Sequence, residues 1–445
     1  METVVPFRAW RYASAAGEPA RLVAPPYDVI GPDLQSRLYA KHPHNVVRVD
    51  LGMTTASDND CDNQYTRARV QLAQWKESDI IVRDREPAVT FVEENFIGPD
   101  GRAKVRHGFL AAMRLHDFDE GVVFPHEETL TGPKEDRFRL MTSTSMSLSP
   151  VFMLYELPSD DITRAWRAGP GTQVPAVTIT DEKDIVIRLW STSDPAILDG
   201  IGGRLAASRF VIADGHHRYE TALRYRDHQR ATQGAGAPAR PAFEYCLAYF
   251  SNMADPALAI YATHRLLAGL DPSRVAALPQ TLSDWFTVEP LTSGPVTTEH
   301  AQAATAVYLS DHPRRAFAFW GLGFEAVYGF CLEDRVSAPA TAPGHSRAYQ
   351  ELDVTILQSL VFEKALGVTS ADLAAERFVT YCRDPGEAFA LLAAGEFQVG
   401  FFLNPTGLDQ VKEVALGGER MPQKATFFYP KLPTGLVFHD LTGRL

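Results

Sequence analysis

Cysteine is scarce: four in 445 residues, Cys61, Cys246, Cys331 and Cys382, none in a CxxC pair. This excludes a disulfide framework and gives no zinc or dithiol spacing, so a reducing, cytoplasmic setting is expected. Positive charge is also in deficit. Lys and Arg number 43 against 55 Asp and Glu, a net charge of −12. An acidic chain repels a phosphate backbone, which argues against a nucleic-acid partner and against a nuclease. Long apolar runs are missing as well. Nowhere do about 18 uncharged apolar residues follow one another, and METVVPFRAWRYASAAGEPARL does not read as an export signal, so the protein is expected to be soluble, with no membrane partner.

The familiar loop motifs are missing too. There is no GxxxxGK followed by Ser or Thr, no GxGxxG between a strand and a helix, and no HExxH, because Glu127 is followed by Glu128, Thr129 and Leu130. SDNDCDNQ mimics the start of a calcium loop at Asp58, Asp60 and Asp62. However, Asn63 stands where glycine is wanted and Arg69 where the bidentate Glu should be, so a solvated turn is expected.

What is present reads as a mixed α/β protein of two or three domains, at roughly 150 residues each. Short apolar runs alternate with helical patterns between 30 prolines and 31 glycines. The patterns predict helices over 32–41 and 65–76, a strand in NVVRVDL, and two strands, AVTFVEENF and VRHGFLAAMRL, joined by GPDGR. SLSPVFMLY predicts a turn and a buried strand. A strand and helix are expected over 185–198, and a strand over 210–213 that breaks at Asp214 and Gly215 before a helix from His216. Further strands are expected in FEYCLAYF and FQVGFFLNP, a strand leading into a helix in AIYATHRLL, and a helix over 353–366. ATQGAGAPARPA and SAPATAPGHSRAY have loop composition. We expect one region over 1–275, carrying the HEET loop and the DGHHR turn, and a C-terminal α/β region over 276–445.

Three constellations carry candidate chemistry. Asp214, Gly215, His216, His217 and Arg218 form a strand-to-helix turn, where backbone amides and the helix dipole favour an anion. Arg218 is suited to gripping a phosphate, and either histidine to donating a hydrogen bond or moving a proton. The plainer alternative is that Asp214 caps the helix. PHEETLTGPKEDRFRLM gathers His126, Glu127, Glu128, Lys134, Asp136 and Arg137. Its carboxylates suit a general base or Mg²⁺, and its cations offset phosphate charge; a solvated charged loop is the alternative. MPQKATFFYPKLPTGLVF sets Lys424 and Lys431 on either side of Thr426, with core packing as the alternative. Tyr27, Asp28, His264 and Arg265 invite the same structural reading. A histidine metal site drawn from His107, His126, His216 and His217 has no diagnostic spacing, so the metal remains open.

The blocks APPYDVI, HPHNVVRVDLG, HEETLTGPKEDR, LSPVFMLY, FVIADGHHRYETAL, ATHRL and MPQKATFFYPKLPTGLVF resemble the bacterial and archaeal family catalogued as domain of unknown function 1015. The DGHHR turn also resembles the phosphate-binding turn of the ParB and sulfiredoxin superfamily, and most nearly that of its free-serine kinases. That resemblance implies a ParB/sulfiredoxin-like nucleotide-binding core with additional α/β structure. It implies phosphate binding by Gly215, His216, His217 and Arg218, and a base at Glu127 or Glu128. Ala425 replaces the family's usual serine in the MPxKST block, and Ser147 replaces an asparagine before LSP.

These readings together predict a kinase that moves a phosphate from ATP or ADP, with Mg²⁺, to the hydroxyl of serine or another small metabolite. Asp214, Gly215, His216, His217, Arg218, Lys134 and Arg137 are expected at the nucleotide. Glu127, Glu128 and His217 are expected in catalysis, and His126, Lys424, Thr426 and Lys431 at the acceptor. The alternatives are a non-catalytic nucleotide-binding regulatory protein and a metal-dependent phosphohydrolase. Oligomeric state is not legible in the sequence.

Overall fold

The structure is a computed structural model; it describes residues 2–98, 100–129, 131–158, 161–234, 238–293, 296–336 and 342–445. The chain forms two compact units. One comprises Met1–Pro125, Thr129–Ala259 and Phe428–Leu445, and the other His126–Glu128 and Ile260–Phe427. The expected boundary near 275 does not match this division. The strand His264–Leu267 already hydrogen-bonds Val379–Cys382 and Val399–Leu403 in the second unit, and the last eighteen residues belong to the first.

The first unit is built on a nine-stranded mixed sheet. Its order runs Val123–Phe124, Phe210–Asp214, Val151–Tyr155, Tyr245–Asn252, Ala103–Arg114, Val89–Ile97, Val186–Thr192 and Val177–Thr180, with Val4–Val5 added to Ala103–Arg114. Val151–Tyr155 and Tyr245–Asn252 are buried at every position, as expected for central strands covered on both faces. The expected hairpin pairs in register from Thr90↔Leu110 to Ile97↔Ala103; Pro99 in its turn lies outside the described residues. The core around this sheet joins Phe109, Met153, Phe210, Ile212, Tyr219 and Phe250.

NVVRVDL is not a strand. Val47–Asp50 forms one helical turn. Asn45 Oδ1 accepts from Val47 N at 3.0 Å, while Asn45 Nδ2 donates to the carbonyls of Arg21 and Val23. Val46, Val47 and Val49 are all fully buried. A short apolar run buried on several sides has no period to read, so its residue types suggested the wrong element.

The second unit has a six-stranded antiparallel sheet in the order Phe286–Pro290, Tyr328–Leu332, Ala316–Gly321, Val399–Leu403, His264–Leu267 and Val379–Cys382. The helices Thr298–Asp311 and Pro385–Ala393 contribute Ala301, Tyr308, Ala388 and Phe389 to its core. AIYATHRLL does not run into a helix directly. HRLL is wholly strand, and the next helix, Pro272–Ala276, starts only where Asp271 caps it. Residues 235–237 and 337–341 of the two expected loops lie outside the described residues. Among the described residues no helix is long and apolar enough to cross a membrane.

Candidate functional site

The strand Phe210–Asp214 ends at Gly215, whose φ of +88° is left-handed, and the helix His216–Gln233 begins at once. Glycine is required twice here. Its φ is one that L side chains rarely adopt, and a Cβ would stand 2.8 Å from Arg218 Nε. Gly215 occupies the cap position and no side chain caps the helix, so Asp214 is not the cap. The first-turn amides therefore give the turn the positive character of a helix start.

Asp214 organises cations instead. Its Oδ2 accepts from Arg218 Nη2 at 2.5 Å, and its Oδ1 accepts from Lys431 Nζ. Arg218 also donates to the Pro150 carbonyl. Burial alone would raise the Asp214 carboxyl, but the Lys431 and Arg218 charges outweigh it and hold the group well below the usual carboxylate range. His216 is buried and His217 half-buried in the same turn. Lys431, expected to act with Lys424 and Thr426, thus stands at the DGHHR turn.

Lys134 and Arg137 are anchored within the same unit. Lys134 Nζ donates to Glu220 Oε2 at 2.9 Å and to Thr129 Oγ1 at 3.1 Å. Arg137 is buried over the Tyr27 ring, donating to the Asp50 backbone carbonyl at 2.7 Å, to Asp50 Oδ1 at 3.2 Å and to Asp136 Oδ2. A cavity of about 30 Å³ is bordered by Tyr27, Asp50, Arg137, Ser149, Arg218 and Thr221. Burial raises the Asp50 carboxyl, against the lowering influence of Arg137 and Arg218. Burial likewise pushes the Tyr27 phenol up to about 12.

The remaining expected residues form a group in the second unit. His126 is fully buried, with Nε2 2.8 Å from Thr426 Oγ1. Glu127 Oε1 accepts from Lys424 N at 2.9 Å, and Lys424 adopts a left-handed φ of +57°. Glu128 is exposed. Arg265, buried nearby, donates to the Thr263 and Lys424 carbonyls. Its burial brings the guanidinium down to about 10 despite Tyr381 and Glu127. Ala425 is buried, its carbonyl accepting from Thr406 Oγ1 at 2.9 Å. In the first unit Ser147 is buried in a short pairing with His439.

The residues therefore fall into two groups, one in each unit: Asp214, Gly215, His216, His217, Arg218, Lys134, Arg137 and Lys431 in the first, and His126, Glu127, Glu128, Lys424 and Thr426 in the second. No three His, Cys, Asp or Glu side chains among the described residues come together to hold a metal ion. Sequence reasoning missed Asp50, Ser149, Thr221 and Glu220. Asp50 carried one signal: a single acid closing an apolar run, where a buried carboxylate needs partners.

A family model described as a protein of unknown function, DUF1015, matches residues 4–355. The chain belongs to this family. No curated protein matches it. Among solved structures, this DUF1015 chain is similar to a conserved hypothetical protein from Pyrococcus furiosus, at 15% identity and a TM-score of 0.35, covering 74% of this chain and 94% of the other. It is similar to a free serine kinase in complex with AMP, at 15% identity and a TM-score of 0.35, covering 76% of this chain and 92% of that one. It is also similar to SbnI with a C-terminal truncation from Staphylococcus aureus, at 9% identity and a TM-score of 0.31, over 76% and 87% of the two chains.

Proposed function

We propose that the protein is a phosphotransferase that moves a phosphate from ATP or ADP to the hydroxyl of a small metabolite, serine or another hydroxy amino acid. The observation that carries this reading is the DGHHR turn. An 18-residue helix starts without a side-chain cap behind a left-handed glycine, and Arg218 and Lys431 converge on the one carboxylate beside it. Two cations against one anion leave a net positive charge at a helix start, where a polyphosphate gains both amide hydrogen bonds and charge neutralisation. Phosphoryl transfer asks for those two things above all.

A Mg²⁺ bound with the nucleotide would take phosphate oxygens, water and one or two carboxylates, the usual coordination of this cation at such sites.

The test is nucleotide consumption with ATP or ADP, Mg²⁺ and a panel of hydroxy amino acids. Turnover that depends on one acceptor is expected, and Arg218→Ala should lower it by about 100-fold, as for other lost charge-stabilising donors. Phosphate release with no acceptor, or full activity in Arg218→Ala, refutes the proposal.

A further inference from the structure

We propose that Asp50 Oδ2 and Thr221 Oγ1 form a binding site for a single neutral hydroxyl group, filled by water at rest and, resting on the phosphotransfer reading above, by the acceptor's hydroxyl during turnover. Both side chains border the 30 Å³ cavity in the first unit, and both are buried, at 4% and 1% exposure. Among the described residues neither of these two oxygens has a hydrogen-bond partner, although Asp50 Oδ1 has Arg137 and Ser149. Leaving two such atoms dry is unfavourable, because each has given up water without a replacement. The cavity exceeds the roughly 10–15 Å³ that one water needs and is far too small for a phosphate or a whole amino acid.

Charge selects the class of ligand. Arg137 pairs with Asp50 and Asp136, while Arg218 and Lys431 pair with Asp214. The Arg137 group carries one excess negative charge and the neighbouring turn one excess positive charge, so the cavity between them calls for no further ion or ammonium group, while at the turn itself the cations still outnumber Asp214. An O–H fits: it donates to Asp50 Oδ2 and accepts from Thr221 Oγ1. Arg218 borders the same cavity and belongs to the DGHHR turn. In the transfer step, Asp50 Oδ2 takes the hydroxyl proton while the acceptor oxygen bonds to the terminal phosphorus of the nucleotide. The phosphorus bond to the bridging oxygen breaks, and its electron pair leaves with the shortened nucleotide.

A high-resolution crystal structure of the full chain tests the site itself. One water within hydrogen-bond distance of both oxygens is expected, and its loss in Thr221→Val; a dry cavity overturns the site whatever the enzyme does. Turnover assays test the acceptor's use of it. Asp50→Asn should lower kcat by about 100-fold or more, the range for a lost general base, while the thermal shift induced by ADP is kept. Wild-type kcat in Asp50→Asn overturns the assignment. If that variant does not fold, Thr221→Val decides: a kcat lowered several-fold supports the assignment and a wild-type kcat overturns it. A wild-type protein that turns over no acceptor refutes the phosphotransfer reading and the proton transfer with it, while the water site is judged by the crystal structure alone.

Discussion

Gly215 and Arg218 constrain one another. The glycine's left-handed φ lets the chain turn from strand to helix within one residue, and its missing Cβ leaves room for the guanidinium to reach Asp214. Gly215→Ala should therefore lower stability by about 1–2 kcal/mol from the left-handed backbone, and displace Arg218 as well. Urea unfolding measures the first effect and the weakened ADP thermal shift the second; an unchanged midpoint refutes the strain argument. The turn was legible in the sequence because its residues are consecutive and their chemistry is local. The partners of its charges were not. Lys431 lies 217 residues from Asp214, and Asp50 lies 87 residues from Arg137. Lys424 and Lys431 stand in one short block of sequence yet belong to different units. No spacing rule distinguishes such a pair, because chain proximity bounds only the distance between two residues and not the core each one joins.

Among elements, the hairpin of Val89–Ile97 and Ala103–Arg114 shows both the reach and the limit of pattern reading. Its two apolar runs and the turn between them announced it, while the ion pair it carries was hidden within those runs. Glu94 and Arg106 stand directly opposite in register and both are fully buried. Arg106 Nε and Nη2 grip the two Glu94 oxygens at 2.8 and 2.9 Å, and Tyr249 OH donates to Glu94 Oε2 at 2.9 Å. Arg106 also donates to the carbonyls of Tyr429 and Pro430, at 3.1 and 2.7 Å, which fastens the closing segment to the sheet of the first unit. Arg106→Met should cost about 3–5 kcal/mol, because it strands a buried carboxylate. Adding Glu94→Leu should recover a large part of that loss, since the uncompensated charge is then gone. Unfolding free energies of the two variants check this; a double variant weaker than Arg106→Met contradicts the desolvation argument. NVVRVDL failed at this same scale, because its valines are buried on several sides and its helical turn is set by Asn45.

The whole molecule inherits a pH dependence from histidines that fold into apolar surroundings. In the first unit His439 is fully enclosed beside the Phe7 ring, and burial brings its imidazole down to about 4 from 6.5. In the second, His264 packs against Phe402 and burial lowers it likewise to about 4. Between these values the unfolded chain binds protons that the native histidines refuse. Stability contributed by both residues is thus present above pH 6.5 and lost as the pH falls toward 4. The second unit carries an opposing group. Burial raises Asp353 from 3.8 to about 6, so its native form binds a proton more readily than the unfolded chain, and acid relieves it over nearly the same window. His264 and Asp353 therefore largely cancel, whereas His439 adds an acid-sensitive slope to the first unit. Replacing His439 isolates that slope. His439→Phe should lower the drop in unfolding free energy between pH 7 and pH 4.5 by about 2–3 kcal/mol, whatever the substitution does to stability at pH 7. Urea titrations of both proteins at the two pH values, followed through a tryptophan of the first unit such as Trp75, measure it. Equal pH slopes in the two proteins contradict the buried neutral state of His439.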